Sequence, residues 1–189
     1  MRRTMRQLGV PARPDAQLRD VIGLGLPETA VHLHPTGGPA FNREFVATFR
    51  EHWFAHHIQD VTMFDGAEAT LLQLRAAGVA LAVATGKSRA GLARELRQSG
   101  FEHLVAASRC ADETASKPDP RMLLEILAEL DVHPDDAVVV GDTTFDLEMA
   151  QRGAVRSIAV TYGAHDRARL STCDPVAFVD DVREIPGLL

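Results

Sequence analysis

Lysine is nearly absent from this chain: of its twenty basic residues eighteen are arginines, and the two lysines are Lys87 and Lys117. Where arginine carries almost every surface charge, a lysine marks a position that suits a compact point charge on a flexible stem better than a planar fork. Cysteine is just as scarce. Cys110 and Cys173 form no Cys-x-x-Cys pair, which excludes a zinc knuckle or a redox dithiol and leaves two reduced thiols. No apolar run approaches the roughly 18 residues a membrane span needs. The first residues are basic, but Gln7 to Asp15 is polar and interrupted by proline where a signal peptide needs an apolar stretch, so a cytoplasmic protein is expected. No strand-like run is followed by Gly-x-Gly-x-x-Gly, which argues against a dinucleotide-binding domain.

What is present suits a globular protein. The 189 residues are 46% hydrophobic and 24% charged, enough for one compact domain or a core with a small accessory domain. A net charge of −6 disfavours nucleic acid or an anionic membrane as partner, so an anion would need a local cationic pocket.

From about Gly66 onward helices and strands alternate. Ala67–Ala77 carries Leu71, Leu72 and Leu74 and stops at Gly78, and Val79–Ala84 is apolar on both faces, as a buried parallel strand requires. Ser88 can cap a helix running to about Gln98, and a weaker strand follows near Leu104–Ala107. Pro120 opens a leucine-rich helix, Ala137–Val140 is the second strong strand, and Phe145–Gln151 is a helix ending at Gly153. Ser157–Thr161 and the short Ala177–Val179 complete the set. The pattern predicts an α/β fold with a doubly wound parallel sheet, whose ligands bind at the carboxyl ends of the strands.

The first sixty residues contain no strand-like run. A helix is expected from about Pro39 to Ile58, with Phe41, Phe45, Phe49 and Trp53 as the buried stripe of a small helical domain. His52 and His56 stand i, i+4 on it and could ligate a metal, but no carboxylate motif accompanies them. The expected division is a helical part over 1–62 and an α/β core over 63–189.

Three polar clusters follow strands or open helices, which places them on one edge of the sheet. Ala84-Thr85-Gly86-Lys87-Ser88 offers a strand-end hydroxyl, backbone N–H groups and a helix start, an anion seat or simply a capped helix. Ser116-Lys117-Pro118-Asp119-Pro120 holds a lysine between stiff neighbours, so its ammonium reaches a limited region. Gly141-Asp142-Thr143-Thr144-Phe145-Asp146 ends a strand with one carboxylate and carries a second one helical turn on. Hard oxygens on such an edge suit Mg²⁺, while Asp142 as a plain helix cap is the simpler alternative.

In this order the three clusters resemble the haloacid-dehalogenase-like (HAD) superfamily, specifically its phosphoglycolate-phosphatase-like branch with a helical cap. Gln7-Leu8-Gly9-Val10-Pro11 and Leu74-Arg75-Ala76-Ala77-Gly78-Val79 are also similar to that branch. The resemblance implies a Mg²⁺-dependent phosphomonoester hydrolase acting on a small phosphorylated metabolite through an aspartyl-phosphate. It implies that Thr85 and Gly86 bind the phosphoryl oxygens, Lys117 offsets the charge of nucleophile and phosphate, Asp142 ligates Mg²⁺ and Asp146 steadies that shell. A receiver-like phosphoacceptor fits less well, because there the strand-end Asp precedes the Thr and Lys, and here Asp142 follows both.

The family's first motif, an apolar strand followed by Asp-x-Asp-Gly-Thr, is absent from these 189 residues. The nearest imitation, Val61-Thr62-Met63-Phe64-Asp65-Gly66-Ala67, has Met63 where the nucleophile belongs, and a thioether cannot be phosphorylated in that role; the segment reads as a hinge. In a serine protease, loss of the nucleophile costs about a millionfold in turnover, or roughly 8 kcal/mol of barrier. The absent strand belongs between those ending at Thr85 and Asp142, so a gap in the sheet is expected. About four missing aliphatic side chains at roughly 1.5–3 kcal/mol each approach a whole domain's stability. Two expectations follow: a phosphatase whose natural form includes the first motif upstream, or a non-catalytic relative that binds a phosphorylated ligand or a protein partner. Substrate identity and oligomeric state are not readable.

Overall fold

A computed structural model of the chain describes residues 1–56 and 62–189. Helices α1 (Arg2–Gln7), α2 (Asp15–Arg19), α3 (Leu26–Leu33) and α4 (Gly38–His56) come first, followed by α5 (Ala67–Ala76). Strand β1 (Leu81–Thr85), α6 (Arg89–Ser99), β2 (Val105–Cys110), α7 (Arg121–Leu130), β3 (Val138–Gly141) and α8 (Thr144–Arg152) alternate. The chain closes with β4 (Arg156–Val160), the short α9 (Arg167–Leu170) and β5 (Ala177–Val179).

The punctuation expected from sequence is present. Ser88 caps α6 by accepting from the Gly91 N–H, and Gly100 ends it at φ 78°, a left-handed conformation that costs glycine little. Pro120 precedes α7, whose Met122, Leu123, Ile126 and Leu127 are buried on one side. The segment around Met63 forms no strand over its described residues; Phe64 packs edge-on against Tyr162, and Asp65 pairs with Arg183 at 2.6 Å. Val61 and Ile58 lie outside the described residues.

Helices α1, α3 and α4 gather around their own apolar cluster of Met5, Val10, Val21, Ala30, Leu33 and Phe45. The aromatic stripe of α4 stacks as a ladder, with ring centroids 6.1, 6.4 and 6.0 Å apart from Phe41 to Trp53. Only part of it is core. Phe45 is fully buried, Phe41 and Phe49 are partly so, and Trp53 is 38% exposed. Four-residue steps advance about 40° per step around a 3.6-residue helix, so a stripe of four rings cannot stay on one face. His52 is also accounted for: its Nδ1 meets Thr4 Oγ1 at 3.1 Å and its Nε2 meets Gln7 Oε1 at 2.9 Å, tying α4 to α1. The side chain of His56 lies outside the described residues.

The α/β part holds two parallel sheets. One is β1-β2, pairing Leu81 with Val105 and Thr85 with Cys110; the other is β3-β4-β5. Strand β4, paired on both edges, buries Ser157 through Val160. Strands β1 and β3 keep one unpaired edge each, and Val140 is 41% exposed although its sequence is that of a central strand. The expected gap lies between them.

Phe45 has no exposed surface at the centre of the helical cluster. Truncating Phe45→Ala is expected to cost about 3–5 kcal/mol, read as a lower urea midpoint for the loss of helical circular dichroism.

Candidate active site

The carboxyl ends of the strands bring all three polar clusters into contact at Lys117. Lys117, between Ser116 and Pro118 ahead of α7, is 6% exposed, and its Nζ donates to Asp146 Oδ1 at 2.6 Å and to the Ala84 carbonyl oxygen at 3.4 Å. One ammonium thus bridges the end of β1 and the first turn of α8. The Lys117–Pro118 peptide is cis.

Asp146 is held from its other side too. Its Oδ2 accepts from the Thr143 N–H at 3.2 Å and the Thr143 hydroxyl at 2.6 Å, while Thr143 Oγ1 faces the Asp146 N–H at 3.3 Å, a reciprocal capping box. Both Asp146 oxygens are therefore engaged. A carboxylate so occupied suits the role of steadying a neighbouring shell. Its Cβ lies against Gly141, where an added Cβ would approach within 2.2 Å.

Asp142 points elsewhere. The cap of α8 is Thr143, so the simpler reading of Asp142 as the helix cap does not hold. Asp142 follows β3 directly, is partly buried, and accepts from the Ala164 N–H at Oδ2, 2.9 Å, where the chain after β4 passes close by at Gly163. No hydrogen bond reaches Oδ1 among the described residues, so one oxygen of the Gly-Asp strand end remains for an external partner. A hard cation such as Mg²⁺, which needs only one or two protein carboxylates and keeps waters and substrate oxygens, fits that donor. Among the described residues no group of three or more His, Cys, Asp or Glu side chains gathers to form an all-protein metal cage.

Thr85 closes β1, and its Oγ1 accepts from the Lys87 N–H at 3.2 Å, shaping the turn into α6. The two lysines part company: Lys117 is buried, whereas Lys87 is exposed in the turn before α6 and pairs with Glu95 of that helix. The scarcity of lysine thus pointed to one buried ion pair and one surface ion pair.

Sequence reasoning missed the segment Asp20–Gly25 between α2 and α3, which presses on all three clusters. Gly23 adopts φ +102°, and a Cβ there would meet Thr143 Oγ1 at 2.9 Å; a Cβ on Gly86 would meet the Leu24 carbonyl oxygen at 2.6 Å. The Gly25 N–H donates to Ser116 Oγ at 2.9 Å, and Arg169 pairs with Asp20. The Gly-x-Gly spacing at 23 and 25 was the available signal. His165 was also missed. It is 3% exposed, its Nδ1 accepts from the Thr144 N–H at 3.0 Å, and its ring packs edge-on to Phe145. Burial, with Arg169 nearby, pushes its imidazole below the ordinary 6.5.

Comparison with known proteins decides the family. The model of the haloacid dehalogenase-like hydrolases matches residues 1–160. The chain belongs to this family. It is 30% identical over 191 residues to a plasmid-encoded phosphoglycolate phosphatase of Cupriavidus necator, covering 99% of this chain and 83% of that protein. It is 28% identical over 141 residues to the pyrophosphatase PpaX of Oceanobacillus iheyensis, covering 74% and 66%. A haloacid dehalogenase-like hydrolase from Bacteroides fragilis superposes with a TM-score of 0.90 at 20% identity, over 97% of this chain and 88% of that one, so the HAD fold is shared. Among the described residues no helix is long and apolar enough to cross a membrane.

Two outcomes test this geometry. Replacing Lys117→Met leaves the buried Asp146 charge unpaired and is expected to cost about 3–5 kcal/mol in urea unfolding, with part of the loss recovered in Lys117→Met/Asp146→Asn. Because burial disfavours the protonated His165 imidazole in the fold, its contribution to stability is complete above pH 6.5 and shrinks as the pH falls and the unfolded chain takes up the proton. The urea midpoint is therefore expected to drop between pH 7 and 5, less steeply in His165→Asn.

Proposed function

We propose that this chain carries the phosphate- and metal-handling half of a Mg²⁺-dependent phosphomonoester hydrolase acting on a small phosphorylated metabolite. The observation that carries the reading is the Lys117–Asp146 bridge at 2.6 Å beside a strand-end Asp142 with one uncommitted oxygen. In a family of hydrolases that arrangement supports phosphoryl transfer. The likeness to a phosphoglycolate phosphatase and a pyrophosphatase supports a phosphate-ester or phosphoanhydride substrate.

Each residue has a part in this reading. Lys117, anchored by Asp146 and the Ala84 carbonyl, places one positive charge at the strand ends, where it lowers the energy of bringing a carboxylate nucleophile up to a phosphate dianion. The Thr85 hydroxyl and the Gly86 N–H sit at the adjacent strand end as donors to phosphoryl oxygens. Asp142 Oδ1 would hold Mg²⁺, and Asp146 keeps Lys117 and the α8 start in place around it. When bound, the cation would neutralise phosphoryl charge and orient the ester for in-line attack. The nucleophile would be an Asp at the end of a strand lying between β1 and β3: its oxygen would bond to phosphorus as the ester P–O bond breaks, the alcohol leaving with a proton from the second carboxylate of Asp-x-Asp, and water would then cleave the aspartyl-phosphate to inorganic phosphate. The segment from 1 to about 62 would act as a cap that closes over the strand ends through Asp20–Gly25.

A second reading is favoured by one specific observation: Met63 occupies the internal position most like the nucleophile's, and the described residues around it, 62–66, form no strand. On that reading the 189-residue chain binds a phosphorylated ligand without turning it over.

The deciding experiment extends the chain at its N-terminus with an apolar strand ending in Asp-x-Asp-Gly-Thr and measures phosphate release from a panel including phosphoglycolate and pyrophosphate. Mg²⁺-dependent turnover is expected, falling by at least about a hundredfold in Asp142→Asn. No release from any ester, or an unaffected Asn variant, would overturn the hydrolase reading; phosphoglycolate binding by the unextended chain without release would support the second.

A further inference from the structure

The segment that follows β4 has no regular structure, yet it is fastened to the Gly-Asp strand end and the start of α8. The Ala164 N–H donates to Asp142 Oδ2 at 2.9 Å, and the His165 N–H to the Asp142 carbonyl oxygen at 3.1 Å. In the reverse direction the Thr144 N–H donates to His165 Nδ1 at 3.0 Å. The main chain at Gly163 presses on the same aspartate, since a Cβ there would stand 2.1 Å from Asp142 Cβ. Residues 163–165 thus clasp Asp142, and a carboxylate held through one oxygen has its orientation set for whatever the other oxygen binds.

Two of these bonds come from backbone N–H groups, which every residue but proline supplies. The third depends on the His165 side chain. Thr144 opens α8, so its N–H has no acceptor within its own helix, and the imidazole provides one. What the ring gives up in return is informative. Because Nδ1 accepts, the proton of the neutral ring sits on Nε2, and that atom is buried with no hydrogen-bond partner among the described residues; Asp20 comes near the ring without meeting hydrogen-bond geometry there. An unpaired buried N–H is costly, so a side chain that only filled the space beside Phe145 would be apolar. The acceptor at Nδ1 is what an imidazole adds.

We infer that His165 is a positioning residue for cation binding at Asp142. Its Nδ1 fastens 163–165 to the start of α8, which keeps the Ala164 N–H on Asp142 Oδ2 and leaves Oδ1 to the cation. It acts through Asp142 and touches neither cation nor ester. The clasp stands on the hydrogen bonds alone, whereas the cation rests on the hydrolase reading.

Side-chain reach makes the test specific. Asn carries its amide oxygen as many bonds from Cα as Nδ1 and can accept from Thr144; Gln carries its own one bond farther, at the place of Nε2; Phe keeps a ring and accepts nothing. The full 189-residue chain is compared with its His165→Asn, His165→Gln and His165→Phe variants by amide hydrogen exchange at 164 and 165. Each is also titrated with Mn²⁺, read as paramagnetic broadening of the nuclear magnetic resonance signals of 141–145 and 163–165. Exchange is expected to quicken at least about tenfold in the Gln and Phe variants and to stay within about twofold in the Asn variant. The Mn²⁺ concentration for half broadening is expected to rise about 10–100-fold in the first two and to stay near the parent's in the third. In an Asp142→Asn background His165→Phe is expected to shift the Mn²⁺ titration no further. Should the Phe variant fail to fold, the Asn and Gln variants decide alone.

Unchanged exchange in the Gln variant, or an Asn variant that exchanges as fast, would overturn the clasp and the proposal with it. Faster exchange with an unmoved Mn²⁺ midpoint would overturn the positioning role and leave His165 a structural residue. A parent chain in which Mn²⁺ broadens no signal near Asp142 would overturn the cation, and the metal part of the hydrolase reading, while the exchange data still upheld the clasp.

Discussion

A buried ammonium must be neutralised where it lies, and the geometry around the strand ends follows from how that is done. Lys117 is too enclosed for water to solvate its charge, so Asp146 sits 2.6 Å away and the Ala84 carbonyl turns toward it. Asp146 in turn is fastened by Thr143, which starts α8. One ion pair therefore sets the distance between the β1 end, the lead-in to α7 and the start of α8. Since these elements belong to the two different sheets and the helices that cover them, the pair also ties together halves that no backbone ladder joins.

That link leaves a division of labour between the two aspartates. A carboxylate that neutralises a lysine and accepts a capping bond has no oxygen to spare, and Asp146 is in that position. Asp142, at the strand tip, spends only one oxygen on the Ala164 N–H. Two residues four apart, alike in sequence, thus have different chemistry because one begins a helix and the other ends a strand. The helical part acts on the same place through Asp20–Gly25, whose glycines let backbone approach Thr143 and Gly86 more closely than any Cβ would allow.

The split sheet changes what is stable as well as what is reactive. Strand β4, flanked on both sides, buries its side chains; β1 and β3, each flanked on one side, do not bury theirs as fully. Hydrogen-bonding edges and apolar surface are thus left open at one place, where side chains of β1, β3 and α7 line a common cavity.

Much of this was legible in the residues. Local rules suffice for the helix and strand order, because apolar runs of strand length such as Val79–Ala84 and Ala137–Val140 mark strands, though neither is fully buried here, and Ser88, Gly100 and Pro120 terminate elements by backbone chemistry alone. The three polar clusters were legible as motifs at strand ends, and the gap in the sheet was expected from the family resemblance they carry. Sequence was weaker where position depends on partners far along the chain. The aromatic stripe was read as wholly buried, yet the drift of its helix carries Trp53 to the surface. Lys87 and Lys117 looked alike until the fold buried only one. His52 passed for a possible ligand until α1 claimed both ring nitrogens. Periodicity and capping are set within a few residues and so are written in the sequence. Which carboxylate keeps a free oxygen depends on the Lys117–Asp146 and Asp142–Ala164 contacts, and which glycine bears on which threonine on the approach of Gly23 to Thr143; these join separate elements, and only tertiary packing decides them.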